Sequence, residues 1–70
     1  MKQVPIHTPY ITLGQLLKLV DLVSSGGEAR EFLFTHSILV DGVEENRRGK
    51  KLYPDTEICI DQETFRIVSL

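Results

Sequence analysis

Half of the cations in this chain stand in one five-residue window, Arg47-Arg48-Gly49-Lys50-Lys51, although the formal net charge over 70 residues is −2. Four positive charges so close together must reach solvent, because an uncompensated charge is very costly to bury. The chemistry they offer is anion recognition. Arg47 and Arg48 can fork onto phosphate oxygens, and Lys50 and Lys51 act as point charges. Gly49 has no Cβ and lets the backbone approach a partner closely. Asn46, just ahead, can bond a base edge or a sugar hydroxyl. Composition alone leaves a second reading open, a solvated loop tip partly neutralised by Glu44 and Glu45. Ser25-Gly26-Gly27 is a second feature, with free backbone amides at a helix start, a natural phosphate site. Glu28 competes for the same positive end. On sequence alone, two glycines turning a corner beneath a cap is the stronger reading there.

Other chemistries find little support. His7 and His36 are isolated, and no Cys/His or Ser/His/Asp grouping is present. Cys59 alternates with Ile58 and Ile60 on a predicted strand, the setting of an inert thiol rather than a nucleophile. One cysteine can form neither an internal disulfide nor a zinc site, which fits a reducing cytoplasm. Gly26-Gly27 and Gly49 lack the spacing of a dinucleotide or nucleoside-triphosphate loop. No catalytic residue, metal ligand or cofactor is therefore expected. Tyr53, directly after the basic window, can stack on a base, whereas Tyr10 reads as a packing residue. Lys18 lies on the polar face of the first predicted helix. Arg30 lies in the second, where Asp21 or Glu31 could pair with it.

The elements that must position these residues follow from periodicity and end signals. Leu13, Leu16, Leu17 and Val20 recur at helical spacing, and Thr12-Leu13-Gly14-Gln15 has the form of a capping box, with Ile11 and Leu16 as its hydrophobic staple. The first helix is expected over 13–22. Ser25-Gly26-Gly27-Glu28 repeats the capping-box spacing, and Ala29, Phe32 and Leu33 supply an apolar face, so a second helix is expected over 26–35. Ile38-Leu39-Val40, the tight turn Asp41-Gly42 and the return strand from Val43 form a hairpin. A turn follows at Leu52-Tyr53-Pro54-Asp55. Strands at 57–61 and 64–68 flank a turn at Gln62-Glu63. Residues 2–7 read as a short edge strand, because Pro5 cannot donate to a ladder. The order β-α-α-β-β-β-β gives an α+β domain, a helical hairpin on a small, mostly antiparallel sheet.

These segments together resemble the S4 RNA-binding domain family, in its small stand-alone bacterial branch (YaaA/YbcJ-like). The similarity lies in Ile11-Thr12-Leu13-Gly14-Gln15-Leu16-Leu17-Lys18, in Ser24-Ser25-Gly26-Gly27-Glu28-Ala29-Arg30, in Val40-Asp41-Gly42, and in Glu45-Asn46-Arg47-Arg48-Gly49-Lys50-Lys51-Leu52. It spans residues 10 to about 60. The chain departs from the S4 pattern at His36, where the family has a glycine that often needs a left-handed backbone, and at Asp55, the glycine of a Pro-Gly-Asp turn. Asp41 replaces an asparagine, trading amide donors for a negative charge. The resemblance implies one S4-like domain over residues 1–70, with the αL motif. It implies a non-catalytic protein that clamps structured RNA, ribosomal RNA above all, between the helical corner and the 46–51 loop, with a role in ribosome assembly. The RNA-facing residues it implies are Lys18, Ser25, Gly26, Gly27, Arg30, Asn46, Arg47, Arg48, Lys50 and Lys51. Recognition would rest on electrostatic positioning and shape, with little base specificity.

Composition bounds this reading. Residues 1–40 balance three bases with three acids, residues 41–51 set four bases against three acids, and residues 52–70 set Arg66 against four acids. A slightly acidic total argues at first against nucleic acid, but binding needs a local field on one face, which net charge does not measure. The acidic strand end (Asp55, Glu57, Asp61, Glu63) supports an alternative, a protein-interaction module that docks a basic partner. No apolar stretch approaches the ~18 residues of a membrane helix and no secretory signal is visible. A cytoplasmic monomer with no membrane contact and no small-molecule substrate is expected.

Overall fold

In a computed structural model describing residues 1–70, both helices begin where polar side chains take up their first amides. Helix α1 (Leu13–Leu19) starts behind Thr12. The Thr12 hydroxyl accepts from the Gln15 amide at 3.2 Å, and the Gln15 side chain accepts from the Thr12 amide at 2.8 Å. Such a cap contributes about 1 kcal/mol. The helix ends three residues earlier than its periodicity predicts. Asp21 turns left-handed (φ 62°), its amide bonds Lys18 O at 3.1 Å, and the Leu22 amide bonds Leu17 O at 3.0 Å. This is a Schellman closure with Asp at the position glycine usually takes.

Helix α2 (Gly26–Thr35) has the expected bounds. Ser25 caps it by accepting from the Glu28 amide at 3.2 Å. The reciprocal half of the box is missing, because the Glu28 carboxylate accepts from the Ser24 hydroxyl instead. His36 does not adopt the left-handed backbone that its place in the S4 pattern suggests. It is extended (φ −126°, ψ 157°), since the chain runs on into a strand at Ile38. Its ring lies flat on Phe32, with centroids 3.7 Å apart.

Five strands, β1 (Lys2–Ile6), β3 (Ile38–Val40), β4 (Val43–Glu44), β6 (Glu57–Ile60) and β7 (Glu63–Ser69), form one sheet in the order β1-β7-β6-β3-β4. Only the β1–β7 pair is parallel. Pro5 sits on the edge strand, where its missing donor costs least. Two further strands escape a reading of periodicity, β2 (Ile11–Thr12) and β5 (Lys51–Leu52), which pair antiparallel. Each is two residues long, too short to carry a pattern, and Leu52 thereby belongs to a strand rather than to the following turn.

Aspartates set the tight turns. Asp41 and Gly42 (φ 49° and 83°) make the β3–β4 reversal, and Asp55 (φ 75°) takes the predicted glycine-like conformation. The β6–β7 turn lies one residue earlier than expected, at Asp61-Gln62, because Asp61 (φ 57°) turns left-handed and Ile60 pairs with Glu63. Asp41 and Asp61 also cap neighbouring backbone. Their carboxylates accept from the amides of Glu57 at 2.9 Å and Ser37 at 3.2 Å. Glycine could make these turns but not these bonds.

Alternate residues of the strands point inward, and sixteen buried apolar residues from the sheet, both helices and β2–β5 form one core. Phe65, Leu13, Leu16, Leu17, Leu52, Ile58 and Ile67 are its fully buried members. Cys59 lies on the outer face of β6, half-buried, its thiol donating weakly to Asp61 O at 3.6 Å. No helix is long and apolar enough to cross a membrane.

Candidate nucleic-acid interface

The first amides of a helix have no partner within it. In α1 they are taken by the basic loop itself. Leu13 N donates to Lys50 O at 2.8 Å and Gly14 N to Arg48 O at 2.9 Å, while Thr12 accepts from the third. Together with the β2–β5 pairing, these bonds fasten the loop backbone to the start of α1. Glycine at 14 suits this closeness, since a Cβ there would lie 3.3 Å from the Arg48 carbonyl oxygen and 3.4 Å from its Cβ, a tight fit against backbone.

The same residue reaches the other helix. Arg48 Nη1 donates to Gly26 O at 3.2 Å, so one residue, through its backbone carbonyl and its side chain, bridges the starts of α1 and α2. Its Nε and Nη2 make no hydrogen bond within the protein, and the residue as a whole is exposed. The start of α1 is used internally, but in α2 the amides of Gly26 and Gly27 donate to no protein group. The phosphate-type cradle read from Ser25-Gly26-Gly27 is thus open at its amides. The Ser25 hydroxyl is committed to its cap.

Two hollows flank Arg48. One, of about 250 Å³, is lined by Lys18, Gly26, Arg48 and Gly49 with the first turn of α1. The other, of about 200 Å³, is lined by Arg30, Leu33, Phe34, Asn46 and Arg48. Lys18, Gly26, Arg30, Asn46 and Arg48 therefore lie about one face, its two hollows meeting at Arg48. Arg30 has neither of the carboxylate partners weighed for it, Asp21 or Glu31.

The rest of the basic window points elsewhere. Arg47 forks onto Glu45, Nε to Oε2 at 2.9 Å and Nη2 to Oε1 at 3.0 Å, and its amide bonds the same carboxylate at 3.1 Å. The Glu45 side chain is only 12% exposed and that of Arg47 is 69% exposed. The Arg47 hydrogen bonds hold the Glu45 carboxyl down to about 2, against an opposing desolvation, and Glu45 in turn raises Arg47. Lys50 is half-buried, its amide closing a turn on Arg47 O at 3.1 Å. Lys51 Nζ sits 5.0 Å above the Tyr10 ring, and Tyr10 packs against Tyr53 with centroids 5.6 Å apart. Tyr10 thus packs, as its position suggested, but onto an exposed partner.

The family model for the S4 domain matches residues 4–68. The chain belongs to the S4 domain family. Over 67 residues it is 54% identical to the probable ribosome maturation protein RlbA of Bacillus subtilis (strain 168), covering 94% of each chain. Within this S4 fold, sequence reasoning missed two residues of the face. Gly14 gave no signal because its constraint comes from a loop more than thirty positions away. Phe34 did give one. It falls four residues after Arg30, on the polar side of α2, out of step with the buried Ala29 and Leu33.

The four acids of the strand end do not form a single patch. Asp55 and Glu57 lie at one end of β6, Asp61 and Glu63 at the other. Arg66 pairs with Asp55 at 3.3 Å, and Lys2 pairs with Glu63 at 2.9 Å.

Proposed function

We propose that this chain binds structured RNA, ribosomal RNA above all, through the face formed by the starts of α1 and α2 and the 46–51 loop. It acts there without catalysis, in the cytoplasm, during assembly or maturation of ribosomal particles. S4 membership and the similarity to a probable ribosome maturation protein support the RNA and its source. The observation that carries the reading is Arg48. It ties the loop to both helix starts and keeps uncommitted Nε and Nη2 donors close to the open amides of Gly26 and Gly27. Lys18 and Arg30 add unpaired charge on either side.

Phosphates would be held by a fork, two amides and flanking point charges, a set that reads backbone geometry rather than base identity. Such a site binds salt-sensitively. At about 0.7 counterions released per phosphate on single-stranded contacts, three or four contacts give a log–log salt slope of roughly −2 to −3. The test is fluorescence anisotropy of a labelled ribosomal RNA fragment against salt, with wild type and Arg48→Glu. A slope near that range that flattens in the variant supports the reading. Binding unaffected by Arg48→Glu overturns the interface.

A further inference from the structure

Phe34 is 74% exposed and pairs with no other ring. Burying a phenylalanine ring stabilises a fold by about 2 kcal/mol, and this ring contributes little of that. The neighbours lining the hollow beside it are Arg30, Asn46 and Arg48, over a floor of buried Leu33. Gly26, Arg30 and Phe34 follow one another at four-residue spacing, one stripe of α2 about 12 Å long. That stripe runs from the open amides to the exposed ring.

We propose that Phe34 is a stacking platform for a single unpaired nucleobase of the bound RNA. Asn46 faces the edge of that base, and Arg30 and Arg48 hold the adjoining phosphates. This rests on the RNA-binding reading above and extends it from the backbone to a base. Charge complementarity selects the occupant. No carboxylate lines the hollow shared with Arg30 and Arg48, whereas the hollow on the other side of Phe34 carries Glu44 and Glu45. A polyanion is thus admitted from one side only. A lone ring among cations and an amide suits a heterocycle attached to phosphate, since a base offers a flat face and polar edge in the same unit. The hollow of about 200 Å³ is several times the ~30 Å³ of one water, ample for one planar base. Stacking tolerates any base, so the platform adds affinity for an unpaired nucleotide without sequence preference.

The probes are an RNA hairpin with one bulged 2-aminopurine and the same hairpin with an abasic residue in the bulge, which keeps the phosphates and removes the ring. Wild type should bind the first about 5- to 50-fold more tightly and quench the 2-aminopurine fluorescence. Phe34→Ala should erase both the preference and the quenching while keeping the abasic affinity, and Phe34→Trp should restore both. The side chain is exposed, so unfolding midpoints should agree. If wild type binds both hairpins salt-sensitively and Phe34→Ala changes neither affinity nor fluorescence, the platform is wrong and the RNA face stands. If wild type binds neither hairpin even at low salt, both readings fall. Unchanged hairpin binding in Phe34→Ala, with loss of a protein partner, would overturn the proposal in favour of a protein contact.

Discussion

The helix–loop face and the sheet carry cations in opposite states. On the sheet, Lys2 of β1 and Arg66 of β7 each hold a carboxylate, Glu63 at 2.9 Å and Asp55 at 3.3 Å. On the helix–loop side, Lys18, Arg30, Arg48, Lys50 and Lys51 have none, and Arg47 alone is paired. Acids exceed bases in the chain by two, so the shortage of partners is local. It follows from where the turns put the aspartates and glutamates. The outcome is a sheet whose cations are neutralised and a helix–loop face whose cations largely are not, in a protein whose total charge is nearly balanced. Focused charge of this kind attracts an anion to one place without the general stickiness of a basic protein.

The division is best tested by charge reversals across it. Arg48→Glu removes the bridge to Gly26, a fork and a charge together, and should weaken RNA binding by about 30- to 100-fold, since a hydrogen bond to a charged group contributes about 1.5–3 kcal/mol. Anisotropy titrations at fixed salt read this directly. Lys18→Ala and Arg30→Ala should each cost about 3- to 10-fold and flatten the salt slope by roughly one contact. Arg47→Ala should cost less than about 2-fold, because its charge is already answered by both oxygens of the Glu45 carboxylate. Lys2→Glu and Arg66→Glu should leave RNA affinity unchanged within error. A loss there comparable to that of Arg48→Glu would break the comparison.

Two further variants examine what holds the face in place. Gly14→Val should destabilise the fold by about 1–3 kcal/mol in urea unfolding, as an overpacked contact against the Arg48 backbone. Its RNA affinity should fall with the loop displaced, even though no charge has changed. The Glu45–Arg47 pair gives a pH test. The folded Glu45 carboxyl lies at about 2, below the usual value of 4.5. Its stabilising contribution is therefore complete above pH 4.5 and is lost as pH falls towards 2. Urea midpoints compared between pH 5 and pH 3 should drop more in wild type than in Glu45→Gln, which cannot titrate. Equal drops would show that the pair does not order the loop.

Much of this molecule was legible in its sequence. Thr12 and Ser25 marked both helix starts because a hydroxyl before an apolar repeat offers the amides a local partner. The inward residues of β3, β6 and β7 were readable from alternation, since a strand shows its faces every second residue. The S4 resemblance rested on these same local signals. What escaped were contacts without a period. The two-residue ladder β2–β5 left no pattern, and Asp21 and Asp61 moved two boundaries by adopting a conformation that aspartate only tolerates.

The basic window itself was determined by sequence, in that four cations within five positions had to be exposed. Which of them remain free was decided by the tertiary structure. Glu45 ties Arg47 to the loop, Tyr10 draws Lys51 aside, and the starts of two helices hold Arg48. The reason is physical. Charge and exposure belong to single residues and can be read in line, but pairing depends on groups brought within a few ångströms by the packing of distant segments. Gly14 and Phe34 are opposite cases of that rule. One is needed because a loop folds against it, and the other stands out because nothing does.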